Sequence, residues 1–254
     1  MKVAEELMVR IPEQFPPLRD DDFVTKARQL LRDYVFRELW VEDEQGYYLG
    51  YIDIADVLRV TDTKSNVTVK GFIRQGVPVS LNASLDDLAR AFLAGITSSV
   101  PVVSEGKLVG IVLLRELFPL LVSLHEQHGM VKDYMTRRVV MCHPDDTILK
   151  AYTLIIDSSY TAFPVVKKHE LVGMVSRNDL LRHGNIRKSI GNSGNSPTIE
   201  SIMTTPAITI SPDEQITAAA MLMVKHDISR LPVVSGGKLV GIIDRHDILK
   251  GLKV

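Results

Sequence analysis

Apolar and polar positions along the chain alternate between two kinds of pattern. One is a short run rich in Val, Ile and Leu; the other is a longer stretch with apolar residues at helical spacing. Residues 139–142, Val-Val-Met-Cys, form a short β-type run. His143-Pro144-Asp145-Asp146 follows with turn and helix-start chemistry. Ile148, Ala151, Tyr152 and Ile155 then recur at positions i, i+3, i+4 and i+7, which predicts a helix. Residues 163–166 and 171–175 are apolar runs separated by the polar Lys167-Lys168-His169-Glu170, the pattern of a hairpin. A second helix is predicted over 178–182. The last quarter copies this order: a run at 207–210, the turn Pro212-Asp213-Glu214 and a helix through Val224. Runs at 231–234 and 239–243 follow around the turn 235–238, then a helix over 246–252. The unit is β-α-β-β-α.

The unit repeats. Pro101-Val102-Val103 with Leu108-Val109-Gly110 returns as Pro164-Val165-Val166 with Leu171-Val172-Gly173, and as Pro232-Val233-Val234 with Leu239-Val240-Gly241. A fainter copy reads Leu39-Trp40-Val41, then Tyr48-Leu49-Gly50. With Leu39 in the proline's place, its turn is two residues longer. Leu85, Ile148 and Ile216 each lie 25 residues before their glycine. Met135 and Met203 each lie 38 before theirs, and each is followed by threonine.

A unit of about 55 residues with three short strands has a weak core of its own, so its sheet must pack against a neighbour. Four units therefore predict two pairs: repeats 1 and 2 in residues 1–121, repeats 3 and 4 in residues 131–254. The expected breaks are 61–68, 122–129 and 185–198. The last break contains Ser189-Ile190-Gly191-Asn192-Ser193-Gly194-Asn195-Ser196. It lacks the Gly-Lys-Ser/Thr ending of a phosphate loop and reads as a linker.

Composition narrows the function classes. The 254 residues carry 30 Lys plus Arg and 31 Asp plus Glu, a net charge of −1, which gives no support to a basic nucleic-acid binder. A hydrophobic fraction of 45% and a charged fraction of 24% fit a soluble globular chain. The single cysteine, Cys142, excludes an intramolecular disulfide and a thiolate zinc cluster. The first ten residues hold Glu5 and Glu6 and no apolar signal block. The apolar stretch 117–124 is interrupted by Pro119 and Ser123 and falls short of the roughly 20 residues of a membrane span. A cytoplasmic, soluble protein with no membrane association is the expectation. No Gly-x-Ser-x-Gly, His-Glu-x-x-His or Gly-x-Gly-x-x-Gly occurs, and no constellation supports catalysis. His125 and His128 share a face if their stretch is helical, and make at most half a metal site. Cys142 and His143 point opposite ways on a strand.

One motif carries candidate chemistry. Repeat 3 reads Gly173-Met174-Val175-Ser176-Arg177-Asn178-Asp179, where a strand hands over to a helix. Repeat 4 reads Gly241-Ile242-Ile243-Asp244-Arg245-His246-Asp247, and repeat 1 Gly50-Tyr51-Ile52-Asp53-Ile54-Ala55-Asp56. Repeat 2 has Leu113 and Glu116 at the corresponding positions, which predicts the poorest site. A carboxylate there can accept both neighbouring hydroxyls of a ribose in charge-assisted bonds. The same Ser-x-x-Asp spacing also describes a helix capping box, and the two roles can coexist. An aspartate in the hydroxyl position, as at Asp244, repels a phosphate unless a cation intervenes. Arg177 and Arg245, inside the motifs, read as solvated.

With the Met-Thr start, the Pro-Val-Val hairpin and the Gly-x-x-Ser-x-x-Asp motif, the repeats resemble cystathionine β-synthase (CBS) domains over nearly the whole chain. Four repeats and no other domain are similar to archaeal four-CBS proteins and to γ subunits of AMP-activated kinases. The resemblance implies an α+β fold of four β-α-β-β-α repeats paired into two Bateman modules. It implies clefts that bind adenosyl ligands: AMP, ADP or ATP, with S-adenosylmethionine or methylthioadenosine as the variant. It further implies a non-enzymatic sensor acting on a regulated protein, with a homodimer as a possible assembly. Carried over residue by residue, it assigns ribose binding to Asp179 and Asp247, with Ser176, Asp244 and Asp56 in the same motifs. Phosphate binding falls to Arg230 and to its match Arg37, unless these are surface arginines pairing with Asp227 and Glu38. The adenine slot falls to the first strands, Val140 and Met141 in repeat 3 and Ile208 and Thr209 in repeat 4, unless these residues only fill the core. A scaffold with degenerate clefts is the competing reading.

Overall fold

The structure, a computed structural model, describes residues 3–11, 15–34, 37–60, 66–95, 97–158, 160–182 and 197–252. The glycine-serine run at 189–196 lies outside the described residues. The chain divides into two compact units. One runs to Gln127 and takes back Leu252; the other is His128–Gly251. Leu252 bridges to Gln127.

In the first unit, α1 (Val3–Leu7) and β1 (Val9–Arg10) precede repeat 1. Repeat 1 is β2 (Leu18–Arg19), α2 (Val24–Tyr34), β3 (Glu38–Glu42), β4 (Tyr48–Asp53) and α3 (Ile54–Arg59). Repeat 2 is β5 (Val79–Ser80), α4 (Leu85–Ala94), β6 (Ser99–Ser104), β7 (Lys107–Leu113) and α5 (Leu114–Leu124). In both, the first strand pairs parallel with the second, and the second and third form an antiparallel hairpin. The parallel pairing is possible because a helix supplies the crossover.

The second unit opens with α6 (Val131–Tyr134). Repeat 3 is α7 (Ile148–Ser158), β8 (Ala162–Lys167), β9 (Glu170–Ser176) and α8 (Arg177–Arg182). Repeat 4 is α9 (Ile216–Lys225), β10 (Arg230–Ser235), β11 (Lys238–Asp244) and α10 (Arg245–Lys250). The expected first strands at 139–142 and 207–210 shrink to single parallel rungs, Cys142 on Val165 and Ile210 on Val233. Cys142 makes both ladder bonds of its rung, to Pro164 and Val166 at 2.9 Å. His143-Pro144 then turns the chain away, and proline has no N–H to continue a ladder.

The conserved spacings have physical causes. Leu85, Ile148 and Ile216 are each the first residue of a helix. Each motif glycine lies where the chain entering one repeat crosses the hairpin of its pair-mate. Met135-Thr136, leading into repeat 3, docks on Gly241-Ile242 of repeat 4, with Thr136 and Ile242 exchanging backbone bonds of 2.8 and 2.9 Å. Met203-Thr204, leading into repeat 4, docks on Gly173-Met174 of repeat 3. A Cβ on Gly173 would stand 2.8 Å from the Thr204 carbonyl oxygen, closer than van der Waals contact allows. Ile73-Arg74 docks on Gly50-Tyr51, and Met8-Val9 on Gly110-Ile111. The repeats of each pair therefore interlock by exchanging their leading segments. That exchange buries the hairpin faces: Trp40, Leu39, Ile52 and Ile111 in the first unit, and Phe163, Val165, Leu231 and Val233 in the second. At about 25 cal/mol per Å² of apolar surface, such burial drives the pairing that a lone repeat cannot supply.

The hairpin register corrects the reading of repeat 1. Val41 stands opposite Gly50, and Trp40 opposite Tyr51. In repeats 2 and 4, Val102 and Val233 face the glycine and the proline faces the next residue. Trp40, not Leu39, thus occupies the proline's place, and the turn is one residue longer rather than two. Val24, 26 residues before Gly50, opens the repeat 1 helix and shows the same single insertion.

Candidate functional site

The cleft that gathers the predicted chemistry lies in the second unit. Its floor is repeat 4: Arg230 at the start of β10, Ile242 and Asp244 on β11, and Asp247 in the first turn of α10. Its wall is the segment leading into repeat 3: Thr136, Arg138, Val139 and Val140, with Tyr160 and Ala162 closing one end. The exchange of leading segments thus sets the exposed edge of repeat 3 beside the carboxylates of repeat 4. The water-accessible room is about 50 Å³, or about 410 Å³ when all empty space out to solvent is counted. Val140 is 37% exposed and so faces this cleft rather than filling the core.

The motif residues form capping boxes. In repeat 3 the Ser176 hydroxyl accepts from the Asp179 N–H at 3.3 Å, and Asp179 Oδ2 accepts from the Ser176 N–H at 2.7 Å. The Ser176 hydroxyl also donates to that oxygen at 2.5 Å. In repeat 4, Asp244 Oδ1 accepts from the Asp247 N–H, and Asp247 Oδ2 from the Asp244 N–H, both at 3.1 Å. Asp247 Oδ1 accepts from Lys250 at 2.7 Å. A carboxylate has about four lone-pair positions, so these bonds leave room for further donors. Burial, and then the Asp244 charge, push the Asp247 carboxyl above its ordinary value. In repeat 2, Leu113 takes the N-cap with no side-chain bond, and Glu116 pairs with Arg115 on the surface.

The arginines divide sharply. Arg230 stands opposite Asp244 in the hairpin ladder, where a cation is needed to offset that charge. Its guanidinium donates to the Thr161 hydroxyl at 3.2 Å and the Ala162 carbonyl at 3.3 Å, so it lies across the two repeats. It does not take Asp227, which pairs with Arg245 at 3.1 Å. Arg245 and Arg177, expected in solvent, are buried, at 7% and 9% exposure. Each is the first residue of its helix, and its long apolar stem allows it to be covered.

The first unit does not reproduce this arrangement. The two oxygens of Asp56 accept from Arg74 Nε and Nη2 at 2.8 Å each. Arg74 enters with the leading segment of repeat 2, in the place that Thr136 and Thr204 hold in the second unit. The expected ribose acceptor is therefore held by an internal fork. Arg37 is 3.5 Å from Asp53, and it is not the counterpart of Arg230. By register Glu38 is: it stands opposite Asp53 as Arg230 stands opposite Asp244. The single extra residue in the repeat 1 turn shifts the match from Arg37 to Glu38.

Other residues fall elsewhere. Thr209 lines a separate groove of about 740 Å³ between the segment 209–211, helix α9 and the Gly236-Gly237 turn, apart from the motif carboxylates. That groove is larger, but it lacks the arginine and aspartates that line the smaller cleft. Ile208 is half-buried beside it in sequence, outside both linings. Cys142 is fully buried and its thiol is pushed up to about 11 by burial, which suits a core residue and not a nucleophile. Helix α5 ends at Leu124, so His125 and His128 share no helical face; His125 bonds Asp86 at 3.0 Å. Among the described residues no group of three or more His, Cys, Asp or Glu could hold a metal ion. None of the described helices is long and apolar enough to cross a membrane. Thr136, Arg138 and Tyr160 were not singled out from sequence as site residues. The Met-Thr start was the available signal for Thr136, because it marks the segment that crosses to the other repeat.

Paired β-α-β-β-α units with interlocked leading segments and a cleft at the strand-to-helix turn define a tandem-repeat module. The sequence profile of the CBS domain matches residues 69–123, 131–185 and 199–254, well over half the chain. The chain belongs to the CBS domain family. It is 26% identical over 183 residues to protein MJ1225 of Methanocaldococcus jannaschii, covering 66% of this chain and 64% of that protein. It is 29% identical over 246 residues to MJ1404 of the same organism, covering 91% of this chain and 58% of that one. The chain thus spans about three fifths of the length of these curated relatives. The crystal structure of MJ1225 superposes with a TM-score of 0.71 at 21% identity, covering 95% of this chain and 99% of that one. A conserved protein from Pyrococcus horikoshii gives 0.65 at 24%, covering 97% and 98%. These structural likenesses establish the fold. The region before residue 69, outside the matched profile, carries the same element order in repeat 1.

Proposed function

We propose that the second unit is a regulatory binding module for an adenine nucleotide, AMP, ADP or ATP, and that the chain works as a sensor for a partner protein rather than as an enzyme. The observation that carries this reading is the meeting, in one cleft, of Arg230, Asp247 and the exposed edge of residues 138–140. In this reading the ribose diol donates to Asp247, the phosphate meets Arg230, and the base lies along Val139 and Val140. Ser176 and Asp179 hold the corresponding place in repeat 3, and Ile208 the corresponding strand edge. The cleft is smaller than the ~300–1,000 Å³ of ordinary ligand pockets, so binding entails outward movement of its exposed end at Tyr160. Tyr160 is 45% exposed, with its ring edge-on to Phe163 at 6.5 Å between centroids. Ligand that binds the widened state better than the narrow one shifts the population toward it, and a partner that reads the difference is thereby regulated.

A scaffold reading is favoured by one observation: the carboxylates of both motifs already cap helices. Calorimetric titration of the whole protein with adenosine, AMP, ADP, ATP, methylthioadenosine and S-adenosylmethionine separates the readings. The expected result is saturable binding with the phosphorylated ligands ahead of adenosine and methylthioadenosine. Preference for the two sulfur compounds would transfer the site to them, and no heat with any ligand at millimolar concentration would leave only the scaffold.

A further inference from the structure

The first unit places an acid where the second places an arginine. Glu38, at the register position of Arg230, is 2% exposed. Its Oε1 accepts from the Ser99 hydroxyl at 2.6 Å and the Ser98 hydroxyl at 2.8 Å. Ser99 in turn accepts from the Trp40 indole N–H at 2.9 Å. The chain Trp40–Ser99–Glu38 therefore ties the hairpin of repeat 1 to that of repeat 2. Oε2 is buried and meets no donor among the described residues. Asp53 stands opposite Glu38 on β4, and Tyr51 lies on the same strand. Of the neighbouring cations, Arg37 pairs with Asp53 and Arg74 with Asp56, and the Arg37 charge also acts on Glu38 in the sense that favours its ionised form. Repeat 2 offers Glu38 the Ser98 and Ser99 hydroxyls and the Ser98 backbone, and burial outweighs them.

An ionised carboxylate in this setting leaves half its charge on a buried oxygen that meets no donor among the described residues. A neutral acid keeps both hydroxyl bonds on Oε1 and removes the charge. We propose that Glu38 is held as the neutral acid, its proton on Oε2, and that Trp40–Ser99–Glu38 is a proton-controlled clasp between repeats 1 and 2. Loss of the proton places a charge that only entering water can stabilise, and water entry parts the two hairpins. Burial acts in the same sense, pushing this carboxyl above its ordinary 4.5. The sign follows from linkage. A carboxyl raised in the folded state contributes stability that is complete below the unfolded value and is lost as pH rises through the folded one.

The test uses the full-length protein and Glu38→Gln, which keeps the acceptor oxygen and the shape of the neutral acid. Thermal unfolding and the emission of Trp40, the sole tryptophan, are followed from about pH 5 to pH 9. In the wild type the midpoint falls and the emission shifts to the red together as pH rises. In Glu38→Gln the emission stays at its low-pH position, and the part of the midpoint loss that tracks it disappears. The infrared band of a protonated carboxyl group at low pH is lost in the same variant. The proposal is overturned if the variant follows the wild-type pH curve, if no protonated-carboxyl band disappears, or if Glu38→Gln fails to fold.

Discussion

Replacing Asp247 by asparagine weakens AMP binding by about 2–4 kcal/mol, roughly 30- to 1,000-fold in Kd, with the fold retained. The carboxylate is asked to accept two hydroxyls of one diol, and hydrogen bonds to a charged acceptor are worth about 1.5–3 kcal/mol each. Asparagine offers one acceptor oxygen and turns an NH₂ donor toward the second hydroxyl. It can still accept from the Asp244 N–H, so the first turn of α10 keeps a cap. Calorimetry on the two proteins, with thermal unfolding alongside, measures both effects. The pH dependence follows from the same group. Burial and Asp244 raise the Asp247 carboxyl in the free protein, and a bound diol favours its ionised form. Binding therefore releases a proton and tightens as pH rises through the range in which Asp247 ionises. In Asp247→Asn that trend is absent. In the ligand-free protein the raised carboxyl works the other way: its contribution to stability is full at acid pH and is lost as pH rises.

Arg230→Ala has an effect of similar size but another signature. Removing a guanidinium from a phosphate costs about 1.5–3 kcal/mol, roughly 10- to 150-fold for AMP. Adenosine, which has no phosphate, loses far less, so the ratio of the two affinities collapses. Arg230 also donates to Thr161 and to the Ala162 carbonyl, which gives it a structural share. If that share were all it had, both ligands would weaken equally. The ratio, measured by competition, is therefore the discriminating quantity.

Much of the fold was legible because its constraints are local or periodic. The shared offset of Leu85, Ile148 and Ile216 to their glycines reflects their place at the start of α4, α7 and α9, and the polar turn at 167–170 is the turn of a hairpin. The Met-Thr dipeptides and the glycines were visible as a repeat, but their meaning is a contact between different repeats. Nothing in the spacing alone shows that Thr136 belongs to Ile242 and Thr204 to Met174. The register of repeat 1 was misread because Leu39 and Trp40 are both apolar. Only the ladder, with Val41 opposite Gly50, shows which of them replaces the proline. That single shift hid Glu38 behind Arg37 and concealed the charge reversal between the two units. Arg74 was invisible for another reason. A surface-patterned arginine becomes the partner of Asp56 only because its segment crosses the neighbouring hairpin. The burial of Arg177 and Arg245 was missed because charge at a helix start reads as solvated, while the long apolar stems of these residues allow them to be covered.

The difference between the units has a functional consequence. On the proposed reading a phosphate would meet Arg230 in the second unit, where the first has the buried acid Glu38 at the same register position. With Asp56 held by Arg74, the proposed nucleotide site falls to the second unit and the proposed proton clasp to the first.

The most direct measurement is a crystal structure of the protein grown with AMP. The account predicts density for one nucleotide in the second unit, its two ribose hydroxyls within hydrogen-bond distance of the Asp247 carboxylate. Its phosphate should reach the Arg230 guanidinium, with Tyr160 displaced outward. A cleft still closed at saturating AMP, with Asp247 bonded to nothing beyond the Asp244 N–H and Lys250, would contradict it.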